Sequence, residues 1–316
     1  MDTADRLDPA DVAALGARIG ENVGLAVKVP EATLGHVLVA LVAEGHVLIE
    51  DHPGVGKTAL ARALARSIDA AYARVQCTSD LLPTDVVGTN VFDQRAGRFE
   101  FRPGPVFANL LLVDEINRAP PKTQSGLLEC MQERQVTVDA ASHGLARPFI
   151  VLATQNPVEY AGTYPLPENQ LDRFMLRVSL GYPPGPREVE MLSDHAPGDR
   201  VLALRPVTTV AEVIAAQDAA VAVHTSEQLL RYVVEILGRI RGDPRVEFGA
   251  SPRAGLMLVK AAKARAALDG RDHALPDDVQ ELAPEVLAHR LLLSPTAADV
   301  ERLEVVRDAL AEVPAL

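Results

Sequence analysis

The chain has 316 residues, 48% of them hydrophobic and 23% charged, and a formal net charge of −12. At ~150 residues per domain this predicts two globular domains with a sizeable core and excludes a mainly disordered chain. The acidic balance repels phosphate backbones and anionic membranes, so nucleic acid is an unfavourable partner.

The two cysteines, Cys77 and Cys130, lie far apart. That usage fits neither a disulfide framework nor a cysteine-built zinc site, and it suits a reducing cytoplasm. Asp2, Asp5, Asp8 and Asp11 stand where a signal peptide carries positive charge. The longest apolar run, Val37 to Ala43, stops at Glu44 and falls short of the ~20 residues of a spanning helix. The expectation is a soluble, cytoplasmic protein with no membrane insertion.

In chain order, short aliphatic runs alternate with helical stretches up to about Leu180. The first run, Val47-Leu48-Ile49, leads into a glycine loop, and Ala59 to Ile68 then reads as a helix. Leu60, Leu64 and Ile68 share one face of it at four-residue spacing. The further runs are Ala73 to Gln76, Leu110 to Val113, Phe149 to Ala153 and Met175 to Val178. Such runs, separated by helices, predict an α/β fold with buried parallel strands and helices on both faces. Val91-Phe92-Asp93 and Arg98 to Phe101 flank Gln94 to Gly97, a hairpin signal. Gln135 to Val138, with a turn near Ser142-His143-Gly144, predicts a second hairpin.

Pro183-Pro184-Gly185-Pro186 can continue neither a helix nor a central strand. The domain boundary is placed there, giving an α/β domain over 1–182 with two hairpin insertions and a smaller, all-helical domain over 183–316. Thr209 with Glu212 makes a capping box, and Ser226 to Ile240 is a helix. Ser251-Pro252 opens another helix that Gly270 closes, and Pro276 to His289 and Thr296 to Val313 complete the bundle.

The chemistry sits at strand ends. In Asp51-His52-Pro53-Gly54-Val55-Gly56-Lys57-Thr58-Ala59, Gly54 and Gly56 let the backbone wrap phosphates, because a Cβ restricts both dihedrals and approach. Loop N–H groups and the helix N-terminus present positive potential to an anion. Lys57 can reach the β- and γ-phosphates of a nucleotide, and the Thr58 hydroxyl can ligate Mg²⁺. Asp51 stands where the usual phosphate loop has its first glycine. The second signal is Leu110 to Val113 followed by Asp114-Glu115, which brings two carboxylates to the C-terminal edge of a parallel sheet. Asp114 suits holding Mg²⁺, and Glu115 suits polarising an attacking water. Asn156, past the strand at 149, can hydrogen-bond a γ-phosphate or that water. Arg173 lies near a helix end, and Arg253 at a helix start, where a cation is unfavourable unless an anion is near.

These residues resemble the AAA+ ATPases, and more closely the MoxR group. The resemblance rests on Gly45 to Thr58, Leu112 to Pro120, Ala153 to Pro157 and Leu166 to Phe174, and covers roughly Glu31 to Leu293. It implies a sheet of order 5-1-4-3-2, a helical lid, and a homo-oligomeric ring, most often of six, with ATP and Mg²⁺ at the interfaces. By matching position, Lys57 and Thr58 are the phosphate-loop pair, and Asp114 and Glu115 the Walker B pair. Asn156 matches the first sensor, Arg173 a finger acting on the neighbouring subunit, and Arg253 the second sensor; Arg118 is the alternative finger. In the family the hairpins face the central pore or a client. The Val-Gly-Gln-Glu-type segment near the adenine is replaced here by Val29-Pro30-Glu31-Ala32-Thr33, so base contacts do not carry over.

The reading is an ATPase whose ring remodels, assembles or matures a protein client, often with a von Willebrand factor A domain partner. Two others stay open: a nucleotide-gated switch with little turnover, and the ATPase subunit of a magnesium-chelatase-like complex. A metalloprotease lacks its HExxH pattern, and a serine hydrolase its G-x-S-x-G elbow. Arg239, Arg241, Lys260, Lys263 and Arg265 read as solvated helix faces rather than a nucleic-acid patch.

Overall fold

The five runs become five parallel strands: the central ones are apolar and covered on both faces, whereas Tyr72–Gln76, at the edge of the sheet, buries only Val75 fully. The computed structural model describes residues 7–52, 54–156, 163–181, 200–297 and 299–315. Pro53, Pro157 and the boundary expected at Pro183 to Pro186 lie outside the described residues.

The strands that make the central sheet are β1 (Val47–Glu50), β2 (Tyr72–Gln76), β5 (Leu110–Asp114), β8 (Ile150–Gln155) and β9 (Leu176–Val178). Their spatial order is β2-β5-β8-β1-β9, which is 5-1-4-3-2 when the five are counted along the chain. All four pairings are parallel.

Side chains alternate across the sheet, as the two-residue period of a strand demands. Val47, Ile49, Leu110, Leu112, Ile150 and Leu152 enter one core, while Leu48, Leu111, Val113, Val151 and Ala153 enter the other. Each such aliphatic side chain contributes roughly 1.5–3 kcal/mol when fully buried. The first face is covered by α1 (Pro9–Ala26), α2 (Glu31–Val42) and α3 (Lys57–Ser67), the second by α5 (Pro121–Glu133).

The C-terminal part is helical and packs on α1 and α2, so its core is continuous with the first face. Its main helices span Val210–Ala222, Glu227–Arg241, Pro252–Leu268, Pro276–Leu287 and Arg302–Glu312. Thr209, Ser226 and Ser251 cap three of them, each accepting from a backbone N–H three residues on. One short antiparallel ladder, Val246–Phe248 with Leu292–Leu293, joins this part and has no signal in the apolar pattern. Among the described residues no helix is long and apolar enough to cross a membrane.

Both hairpins form. β3 (Gly88–Asp93) pairs with β4 (Arg98–Pro103), and β6 (Gln135–Val138) with β7 (Ala141–Gly144). The turn of the second lies earlier than its sequence suggests. Asp139 and Ala140 both take positive φ, 53° and 85°, which makes the tight two-residue turn and places Ser142, His143 and Gly144 in the returning strand.

His46, just before β1, is buried and bridges three elements. Its Nε2 donates to the Met131 carbonyl at 3.1 Å, and its Nδ1 accepts from the Val151 N–H at 3.0 Å. Burial, opposed by the Met131 contact, brings its pKa down to about 4. The unfolded chain then binds the proton first, so stability present above pH 6.5 is lost as pH falls from 6.5 towards 4. About 3 kcal/mol is at stake. Chemical denaturation of wild type and His46→Gln is expected to show a clearly flatter pH profile in the variant. Equal slopes would mean that this ring is not held neutral.

Candidate functional site

The left-handed residues of the loop after β1 fix its shape. Gly54 and Gly56 have φ of 87° and 95°, conformations a Cβ strains. A Cβ at Gly54 would meet nothing within 4 Å, so the glycine serves the turn and leaves open space above it. Gly56 caps α3, and Lys57 is its first residue. The next positions, Thr58 and Ala59, are half-buried on the same first turn, as is Val55 in the loop.

Asp51 is an anchor. Its Oδ2 accepts from the backbone N–H of Leu180 at 2.6 Å and of Gly181 at 2.7 Å, and from the Ser179 hydroxyl at 3.1 Å. Through Oδ2 the carboxylate thus ties the loop to the exit of β9, Oδ1 accepts from the His52 N–H at 2.9 Å, and the Asp51 carbonyl accepts from Lys57 Nζ at 2.7 Å. Burial pushes the Lys57 pKa down, while Asp51, Asp114 and Glu115 push it back up. The amine therefore sits within the field of both acidic strand-end residues.

The strand order explains that proximity. β8 lies between β1 and β5, and at ~4.8 Å per strand the loop and the acidic pair stand roughly 10 Å apart. Thr154 on β8 joins the two halves. Its hydroxyl accepts from the Glu115 N–H at 2.9 Å and donates to Asp114 Oδ1 at 3.3 Å. Asp114 is buried and also accepts from Arg74 Nε at 2.7 Å. Glu115 takes a left-handed backbone, φ 56°, and its Oε2 accepts from Arg118 Nη1 at 2.9 Å and Gln76 Nε2 at 3.1 Å. Asn156, 8% exposed, follows the end of β8 between loop and acidic pair.

A triphosphate with a divalent cation fits this edge. The glycine turn leaves space, backbone N–H groups and Lys57 supply positive potential, and Thr58 and Asp114 are hard oxygen donors of the kind Mg²⁺ takes. Among the described residues no group of three or more His, Cys, Asp or Glu is placed to hold a metal ion. The remaining ligands would be phosphate oxygens and water, the usual case for Mg²⁺.

Arg173 and Arg253 are not at this edge. Arg173 lies two residues past α6 (Glu168–Leu171), just before β9 begins, and donates from Nη1 to the Leu128 carbonyl at 2.6 Å. Arg253 lies 3.8 Å from Asp172 Oδ2 and reaches Gln132 Oε1 at 3.5 Å. The two arginines line one cleft with Gly45, His46 and Met175, all residues at strand beginnings. β1 alone puts roughly 17 Å between His46 and Asp51. The structure therefore brings Lys57, Asp114, Glu115 and Asn156 together and sets Arg173 and Arg253 at the opposite edge of the sheet. Arg118 is committed to Glu115 of its own chain.

Thr154, Gln76 and Arg74 escape a reading by motif. Thr154 carries a signal all the same: a hydroxyl inside an apolar buried strand needs partners.

Residues 46–176 match the family model described as ATPase family associated with various cellular activities (AAA), and residues 239–310 the AAA lid domain. The chain is 48% identical over 278 residues to the uncharacterized protein YeaC of Bacillus subtilis, covering 87% of each. To chaperone MoxR1 of Mycobacterium tuberculosis it is 40% identical over 290 residues, covering 89% of this chain and 76% of that one. A 2.00 Å crystal structure of a candidate ATPase from Cytophaga hutchinsonii superposes with a TM-score of 0.89 at 35% identity, covering 98% and 97%. With the phosphate loop, the acidic strand end and the sheet order in place, the chain belongs to the MoxR-type AAA+ ATPases.

Proposed function

We propose that this ATPase hydrolyses ATP with Mg²⁺ in a homo-oligomeric ring and couples turnover to remodelling, assembly or cofactor maturation of a protein client. One observation carries the reading: Lys57, at the head of α3, sits in the joint field of Asp114 and Glu115 across β8. In this reading the N–H groups of Gly54, Val55 and Gly56, with Lys57, hold the phosphates. Thr58 and Asp114 would hold Mg²⁺, which would supply charge neutralisation to the phosphates. Glu115 leaves Arg118 and Gln76 to polarise the attacking water, and Asn156 orients it. Arg173, with Arg253 beside it, meets the nucleotide of the neighbouring copy.

A client surface is supported by the outer hairpin. Phe92 and Phe99 are 50% and 69% exposed there and pack edge to face at 5.2 Å, apolar surface that a protein partner would cover. A partner bearing a von Willebrand factor A domain is the family's pattern, and we extend it to this chain by analogy alone.

One observation favours the second reading, a nucleotide-gated switch: the Glu115 carboxylate is engaged by two donors of its own chain. ATPase assays on wild type and Glu115→Gln decide. The ATPase reading expects turnover to fall ~10²-fold or more in the variant while ATP stays bound. Equal turnover in both would remove Glu115 from the chemistry, and wild type that binds ATP without turnover would establish the switch.

A further inference from the structure

Arg173 and Arg253 come from parts of the chain 80 positions apart in sequence, yet they share one cleft. A third arginine holds them. Arg290, in the short 3₁₀ turn Ala288–Arg290 after the helix Pro276–Leu287, is 6% exposed. Its Nε donates to Asp172 Oδ1 at 2.8 Å and its Nη2 to the Phe174 carbonyl at 2.6 Å. Its Nη1 donates to the Val286 carbonyl and, at 3.4 Å, to that of Met175. The other Asp172 oxygen, Oδ2, is the one that faces Arg253 Nε at 3.8 Å.

The acceptors of Arg290 thus bracket Arg173: a carboxylate on the residue before it, and carbonyls of the two residues after it. Burying a guanidinium costs several kcal/mol unless it is fully paired, and apolar packing would join helix to strand as firmly. What a forked cation adds is direction, because its planar donors fix the angles of the groups they meet.

We propose that Arg290, acting through Asp172, is a positioning residue that sets Arg173 and Arg253 in register as one anion-receiving pair. The inference rests on the reading that this pair serves a neighbouring copy's nucleotide.

Arg290→Lys keeps the charge and loses the fork, and Asp172→Asn keeps the shape and loses the charge. Each is expected to lower kcat at least tenfold, with KM and the ATP affinity of the chain unchanged. Each is then mixed with Glu115→Gln, whose arginine cleft is intact. Assemblies of the two kinds of chain pair a sound loop with a sound cleft, so activity above the sum of the separate variants is expected. A chain that is merely destabilised gives no such recovery. The control mixture, Arg173→Ala with Glu115→Gln, tests the parent reading, which fails if mixed oligomers form and stay inactive. Recovery in the control but in neither test mixture overturns the present inference alone, as does wild-type kcat in both variants. If Arg290→Lys does not fold, Asp172→Asn decides.

Discussion

Truncating Arg173 to alanine is expected to lower the ATPase rate about 10³-fold or more without weakening ATP binding by the chain that carries the change. The reason is placement. Arg173 precedes β9 at the sheet edge that also holds Gly45 and His46, whereas Gly54 to Thr58 follow β1 at the other edge. A guanidinium there cannot touch its own chain's loop, so its loss leaves the ground-state complex intact. In the proposed ring its charge would act where negative charge builds up on the transferring phosphoryl oxygens of an adjoining copy. A fall in kcat with unchanged affinity is the signature of an interaction made in the transition state. Steady-state kinetics beside calorimetry with an ATP analogue reads both quantities. A parallel loss of affinity in the isolated chain would place Arg173 at its own nucleotide and refute the arrangement.

Lys57→Ala is expected to weaken ATP binding by about 100-fold or more, which corresponds to about 2.7 kcal/mol. The amine donates to the Asp51 carbonyl of the loop and lies in the field of Asp51, Asp114 and Glu115. In the proposed site its removal deletes a charged donor to the phosphates and takes one cation from the field of three carboxylates that would face a polyanion. Both effects act in the same direction. The fold is expected to survive, because Lys57 lies half-buried on the first turn of α3 and its amine is tied to the Asp51 carbonyl rather than to the core. Calorimetric titration with ATP checks the expectation. Unchanged affinity would show that the turn between Ile49 and Ala59 is not a phosphate site.

Much of this is legible in the sequence. Runs such as Leu110 to Val113 announce a buried strand because aliphatic side chains must fill both faces, and here they do, with Leu110 and Leu112 on one side and Leu111 and Val113 on the other. The lysine and the glycines of the loop are legible because few sequences satisfy its backbone geometry. Contacts between distant segments are not. Thr154 reaches Asp114 and Glu115 only through the adjacency of β8 and β5, and strand order is not a local property. Asp51 marks a missing glycine in sequence, but its carboxylate finds the backbone of Leu180 and Gly181 only after β9 has folded beside β1. The second hairpin turns at Asp139-Ala140 rather than near Ser142 to Gly144, because the register that sets Val138 opposite Ala141 overrides the turn preference of Ser142 and Gly144.

The two edges of the sheet have one more consequence. A parallel sheet is polar: all its strands begin on one side and end on the other, and here the arginine cleft takes the first side and the glycine turn the second. Two copies facing each other across a twofold axis would match like with like and leave both features unmet. Only head-to-tail association joins each turn to a cleft, and such an interface repeats until it closes on itself or runs on as a filament. The direction in which the backbone was threaded through the sheet is thereby inherited by any larger particle the protein builds.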